Sequence, residues 1–286
     1  MAAAATDELT LAFRLDDTFE PVAVALSESD ASVKLEIEGT VDVDRARAQV
    51  GRMLGLLEGD GWLELGARDP IVGGLQDSFP GFFTATKASP YDAAAWGVIV
   101  PRMNMKLAAT IKTSIAAEHG DVVKLKGREH VVFPGPERLL QVREVAGLTQ
   151  EKLDRLHAVA MAALDGRLAV DRLLAMGETK ALADLTKIRG VGPWTASHIY
   201  FRGAGPRDGL PRGEPRVFRG FGELYGVAGT EEAFEKASAN WRPYRMWVSI
   251  LLARHLKRVG GWDDKAISAE RAASLRRVAK RVKSAA

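Results

Sequence analysis

The chain has 286 residues, 47% of them hydrophobic, and a formal net charge of +3 from 40 Lys and Arg against 37 Asp and Glu. That is enough apolar residue for a sizeable core, and any polyanionic partner must be met by a local basic face because overall charge is small. With no cysteine, disulfides, thiolate zinc sites, a cysteine nucleophile and a cysteine-held iron–sulfur cluster are excluded.

The alanine-rich start, Met1 to Glu8, lacks the cationic and apolar segments of a secretory signal, and no apolar run is long enough to span a bilayer. The expectation is a soluble, cytoplasmic protein with no membrane partner. From Leu9 to about Asp69 the text is strand-like. Val33 to Glu38 alternates apolar and charged residues, the period of a half-buried strand, with Leu9 to Leu15 and Pro21 to Leu26 as pairing partners. Val43 to Glu58 then carries apolar positions at helical spacing behind Asp42 or Asp44 as a cap. Residues 1–69 are therefore expected to form a small N-terminal α/β portion around an antiparallel sheet.

Beyond Asp69-Pro70 the pattern turns to helices punctuated at Pro80-Gly81, Ser89-Pro90 and Phe133-Pro-Gly-Pro136. Ser89-Pro-Tyr-Asp92 supplies a cap, a first-turn proline and an early carboxylate for a helix over Ala93 to Ile99. Further helices are predicted over Lys106 to Glu118, Pro136 to Val145, Thr149 to Leu164 and Val170 to Met176. The fold class expected is α+β, mainly α, with residues 70–286 a helical domain ending in a basic helix. In that last stretch Arg271, Arg276, Arg277, Lys280, Arg281 and Lys283 meet almost no acid, which suits a solvated face or nonspecific contact with phosphates.

The most informative stretch is Leu185 to His198. A helix ends near Thr186, Gly190 and Gly192 permit positive φ or close backbone approach, and Pro193 opens the next helix. Such a turn offers unpaired amides at a helix start, where an anion such as a DNA phosphate is favoured. A bare Gly-x-Gly is more often an ordinary corner between helices.

The segment resembles the helix-hairpin-helix of the DNA glycosylase superfamily, in its 3-methyladenine DNA glycosylase II branch. Three further blocks carry the likeness: Arg207-Asp-Gly-Leu-Pro-Arg-Gly-Glu214 is similar to the loop that ends in the catalytic aspartate. Trp241-Arg-Pro-Tyr-Arg245 is similar to the Trp-x-Pro-Trp-Arg helix start, and Phe79-Pro-Gly81 with Ser89 to Trp96 to the first helical segment. The likeness covers roughly Asp69 to Trp262. The resemblance implies a monofunctional glycosylase that binds double-stranded DNA, extrudes an alkylated purine and hydrolyses its N-glycosidic bond, acting as a monomer on the chromosome.

What the resemblance implies for single residues is specific. Glu214 stands where the family has aspartate, so either Glu214 is the catalytic carboxylate, or Asp208 replaces it, or the chain binds damage without cleaving it. Trp194 stands where strand-cutting members have a Schiff-base lysine, which excludes that lyase route. Trp194, His198 and Trp247 are base-pocket candidates, against the ordinary reading of helical aromatic residues as core. Tyr200, Trp241 and Tyr244 are weaker aromatic candidates. Gly190, Val191 and Gly192 would meet the phosphate, and Arg102 or Met103, in the Pro101 to Asn104 turn, would fill the gap left by the base. The resemblance implies that no cofactor is required, and it suggests a structural monovalent cation held by the backbone carbonyls of Thr186, Ile188 and Val191. Two other classes stay open: a damage-binding protein without hydrolysis, and a helical scaffold whose hairpin meets protein.

Overall fold

A computed structural model describes residues 8–29, 32–38, 42–56, 61–82, 85–211 and 214–260. The basic stretch from Arg271 to Lys283 lies outside the described residues. Strands β1 (Glu8–Arg14), β2 (Pro21–Ser29) and β3 (Ser32–Glu38) form an antiparallel sheet in that order, as the alternation predicts. The central strand is buried on both faces, which explains its unbroken Val-Ala-Val-Ala-Leu text. Val22, Val24 and Leu26 pack under helix α1 (Val43–Leu54) with Ala46, Val50 and Met53. Asp42 caps α1, its carboxylate accepting from the amides of Asp44 and Arg45.

The opposite face of β2 offers Ala23 and Ala25, small enough for a second layer to approach. That layer was not expected: β4 (Asp121–Leu125) and β5 (Arg128–Val132) form a hairpin whose Leu125 and Val123 pack on those alanines. Arg14, only 8% exposed, ties the layers, donating to the carbonyls of Phe133 and Phe19 and pairing with Asp121.

The helices bury two separate apolar clusters. One comprises α4 (Pro90–Ile99), α5 (Met105–His119), α6 (Pro136–Leu139), α7 (Gln150–Leu164), α8 (Val170–Leu185) and α9 (Pro193–His198), the last running into a π-helical turn at Ile199–Ala204. Helix α4 is its axis, with Tyr91, Ala93 to Ala95, Gly97, Val98 and Ile99 all buried. The other cluster joins α2 (Gly61–Arg68) and α3 (Pro70–Ser78) to α10 (Pro215–Tyr225), α11 (Glu231–Ser238) and α12 (Arg245–Arg258). Phe201 packs against both clusters.

The predicted helix over Pro136 to Val145 stops after Leu139. Its apolar residues at intervals of three are used by consecutive turns instead: Val142 donates to Leu139 O, and His157 Nε2 lies 3.0 Å from Val142 O. Helix α8 continues past Met176 but breaks at Gly177, which has φ 71°.

Candidate functional site

The hairpin between α8 and α9 is built on two buried anchors, Ile188 and Val191, with Lys187, Arg189, Gly190 and Gly192 exposed between and beside them. The two glycines serve different ends. Gly190 has φ +86°, and a Cβ there would lie 2.5 Å from Arg155 Cγ. Gly192 is extended, with φ −86° and ψ 178°, and a Cβ there would meet nothing within 4 Å. It leaves an open approach at the start of α9, where Pro193 holds the first position.

The bonding of the turn leaves groups unused. Lys187 N, Ile188 N and Val191 N donate to Asp184 O, Leu185 O and Ile188 O. Among the described residues, the amides of Gly190 and Gly192 have no protein acceptor, and the carbonyls of Thr186 and Val191 have no protein donor. Exposed amides at a helix start suit an anion, and partnerless carbonyls suit a cation.

Helix α9 is pressed on α4. A Cβ at Gly97 would lie 2.6 Å from Thr195 Cγ2, and Thr195 Oγ1 donates to Gly97 O at 3.4 Å. This fixes the face on which Trp194 and His198 stand, one helical turn apart. Their rings stack at 5.3 Å between centroids and 11° between planes, and both are half-buried.

The α4–α5 turn rests on the first turns of α7. Lys152 Nζ donates to Ile99 O at 2.5 Å and to Pro101 O at 2.8 Å. Arg102 is exposed with φ +59°, a left-handed conformation uncommon outside glycine. Met103 packs against the α4 cluster, whereas Met105, at the start of α5, is 62% exposed. Asn104 caps α5, accepting from Lys106 N at 2.8 Å.

Of the carboxylates, Glu214 stands at the N-cap of α10 but makes no side-chain capping bond. Its oxygens instead take a two-pronged ion pair from Arg216, with Nη2 to Oε2 at 2.7 Å, and both side chains are largely buried. Asp208 is held by two arginines. Arg245 reaches both its carboxylate oxygens, at 2.7 and 3.0 Å, and its carbonyl, at 2.8 Å, while Arg242 donates to Oδ2 at 2.7 Å. Asp208 thus fastens the loop after Ala204 to the start of α12. Asp69 is likewise committed, capping α3 with Oδ1 while Oδ2 accepts from Tyr225 and Trp241.

The remaining aromatic candidates are core. Trp241 packs among Phe221, Tyr225 and Phe234, and Tyr200 is 4% exposed. Trp247 lies among Trp62, Phe82 and Tyr244, with its ring 5.1 Å from that of Trp62. The structure therefore brings Trp194 to His198 and Glu214 to Arg216, while Trp247 belongs to the second cluster. Sequence reasoning missed Arg216, Lys152 and Arg155. Arg216 could have been found as a basic residue two positions after the carboxylate; the other two depend on tertiary contacts.

No family model matches the chain. It is similar to the DNA-3-methyladenine glycosylase of Bacillus subtilis (strain 168), with 27% identity over 143 residues, 49% of this chain and 47% of that protein. It is also similar to the probable bifunctional transcriptional activator/DNA repair enzyme AlkA of Mycobacterium tuberculosis (strain ATCC 25618 / H37Rv). There the identity is 25% over 211 residues, 73% of this chain and 42% of that protein. The matched region spans less than half the length of either curated relative. Among solved structures, the 3-methyladenine DNA-glycosylase from Archaeoglobus fulgidus superposes with a TM-score of 0.65 at 22% identity, covering 86% of each chain, a likeness of fold.

Proposed function

We propose that this chain, which resembles the 3-methyladenine branch of the helix-hairpin-helix DNA glycosylases in sequence and fold, is a monofunctional DNA glycosylase. Its substrate is an alkylated purine in double-stranded DNA, and its reaction is hydrolysis of the N-glycosidic bond in base excision repair. The observation that carries the reading is the hairpin: unused amides at Gly190 and Gly192, an open side at Gly192, and exposed Lys187 and Arg189 beside them. That is the chemistry of a phosphate-backbone anchor.

The steps follow from the residues. The hairpin amides grip a phosphate, and the carbonyls of Thr186, Ile188 and Val191 would hold a monovalent cation. Two of the three carbonyls have no protein donor, so the donor set fits. Positive charge supplied there would favour a phosphate at the hairpin amides. Arg102, with Met103 or its exposed neighbour Met105, fills the place of the extruded base. The Trp194–His198 stack offers a π face to an electron-poor purine. Glu214 supplies negative charge under the sugar as the bond breaks with oxocarbenium character, and orients the water that attacks. The reading has the chain act as a monomer on chromosomal DNA in the cytoplasm.

The test is single-turnover release of methylated purine by wild type beside Glu214→Gln. Release should fall by roughly a hundredfold or more when the charge is removed, while DNA binding persists. Equal, measurable rates would remove Glu214 and turn attention to Asp208. A second reading, damage binding without hydrolysis, is favoured by the Arg216 guanidinium already neutralising Glu214. Tight binding to methylated duplex with no base release by wild type would select it.

A further inference from the structure

The first two turns of α7 carry contacts to both parts of the interface. Lys152 bonds the end of α4 and the turn after it; three residues on, Arg155 lays its aliphatic stem against Gly190, and Asp154 faces Arg189 at 3.6 Å. We propose that Lys152 is a positioning residue, which holds the Arg102 turn at a fixed spacing from the hairpin so that the turn enters the duplex while the hairpin grips the backbone. This rests on the glycosylase reading above.

Helix stability does not account for a lysine there. Thr149 caps α7, so Lys152 occupies the third helical position, the end where a cation opposes the helix dipole. It is also half-buried, and burial together with neighbouring Arg155 and Arg102 holds its ammonium below the usual lysine range. An ammonium in such a place requires strong acceptors, and it has them in Ile99 O, at the negative end of α4, and Pro101 O, in the turn that follows. The turn it holds contains Arg102 in left-handed backbone, a conformation that persists only where surrounding structure imposes it. Prising bases apart needs a turn that does not yield, and a strut shared with the phosphate anchor provides it.

The experiment uses the full chain with Lys152→Met and Lys152→Arg. One probe is a duplex with 2-aminopurine beside a methylated purine, whose fluorescence reports opening; the other is the same lesion in a bulge, already unpaired. Lys152→Met should lower opening and base release on the paired lesion by roughly tenfold, the order of one lost charge-assisted hydrogen bond. Release from the bulge and binding to undamaged duplex should stay within about twofold. Lys152→Arg, which can reach the same carbonyls, should restore opening. Lys152→Gln serves the same comparison if the methionine variant melts early. Equal losses on paired and bulged lesions, no loss on either, or no recovery with arginine would overturn the assignment. A wild type that opens the duplex without releasing base would remove hydrolysis and leave the strut standing; one that opens nothing would remove the strut.

Discussion

At the scale of single residues, the hairpin glycines separate two effects that a sequence pattern runs together. Gly190→Ala forces an L side chain into φ +86° and drives a methyl into the stem of Arg155, so stability should drop by about 1–3 kcal/mol and duplex binding should weaken equally for all sequences. Gly192→Ala has neither problem, since its backbone is extended and its surroundings are open. Its methyl would stand in the path of the phosphate, so the melting temperature should hold while affinity falls. Thermal unfolding and fluorescence anisotropy at one fixed salt concentration check both. A Gly192→Ala protein that binds duplex as well as wild type would show that nothing approaches the backbone there.

Among the elements, the contact that aims α9 is its seat on α4. A side chain at Gly97 has no room, because Thr195 Cγ2 already fills the position. Gly97→Val should therefore cost about 1–3 kcal/mol of stability and tilt α9, separating Trp194 from its place without touching it. Urea denaturation gives the first number and the fluorescence of the tryptophans the second, and an unchanged emission spectrum would count against the displacement. The strands, α1, α4, α5 and α7 were legible in the text because their signals are local: alternation, apolar residues at helical spacing, and caps at Asp42 and Ser89; the caps at Asn104 and Thr149 emerged only with the structure. The β4–β5 hairpin was not, although Lys126 and Gly127 turn with φ 53° and 72° between two valine-bearing runs. Lysine in place of the usual asparagine hides that turn. The hairpin of the site was readable from Gly and Pro, whereas the partners of Glu214, Asp208 and Ile99 come from side chains whose direction only the fold sets.

At the scale of the whole molecule, the sheet is fastened to the helices through α1. Arg52 donates to Gly203 O, Ala88 O and Asp16 Oδ2, and Gln49 bonds Asp16 N, Arg14 O and Ala88 O. Burial lifts the Asp16 carboxyl to about 6, with Arg52 pulling it only part of the way back. An unfolded aspartic acid ionises near 4, so the folded chain favours the protonated form. This contribution is full below about pH 4 and is lost as pH rises through about 6. Asp16→Asn should thus gain stability relative to wild type by on the order of 2 kcal/mol between pH 4 and pH 8. Paired denaturation curves at those two pH values test it, and a difference that is flat with pH would refute it. The two helical clusters differ in how the chain reaches them. The one around α4 is made of contiguous text from Tyr91 to Ala204, but the other waits for its far half: Asp69 and Trp241, which share a hydrogen bond, are 172 residues apart. As the polypeptide leaves the ribosome, the first cluster has every partner it needs once its own segment is out. Leu65, Val72 and Leu75 must stay uncovered until α10 and α12 have been synthesised, so α2 and α3 are the surface on which a nascent chain is most exposed to chaperones and to aggregation.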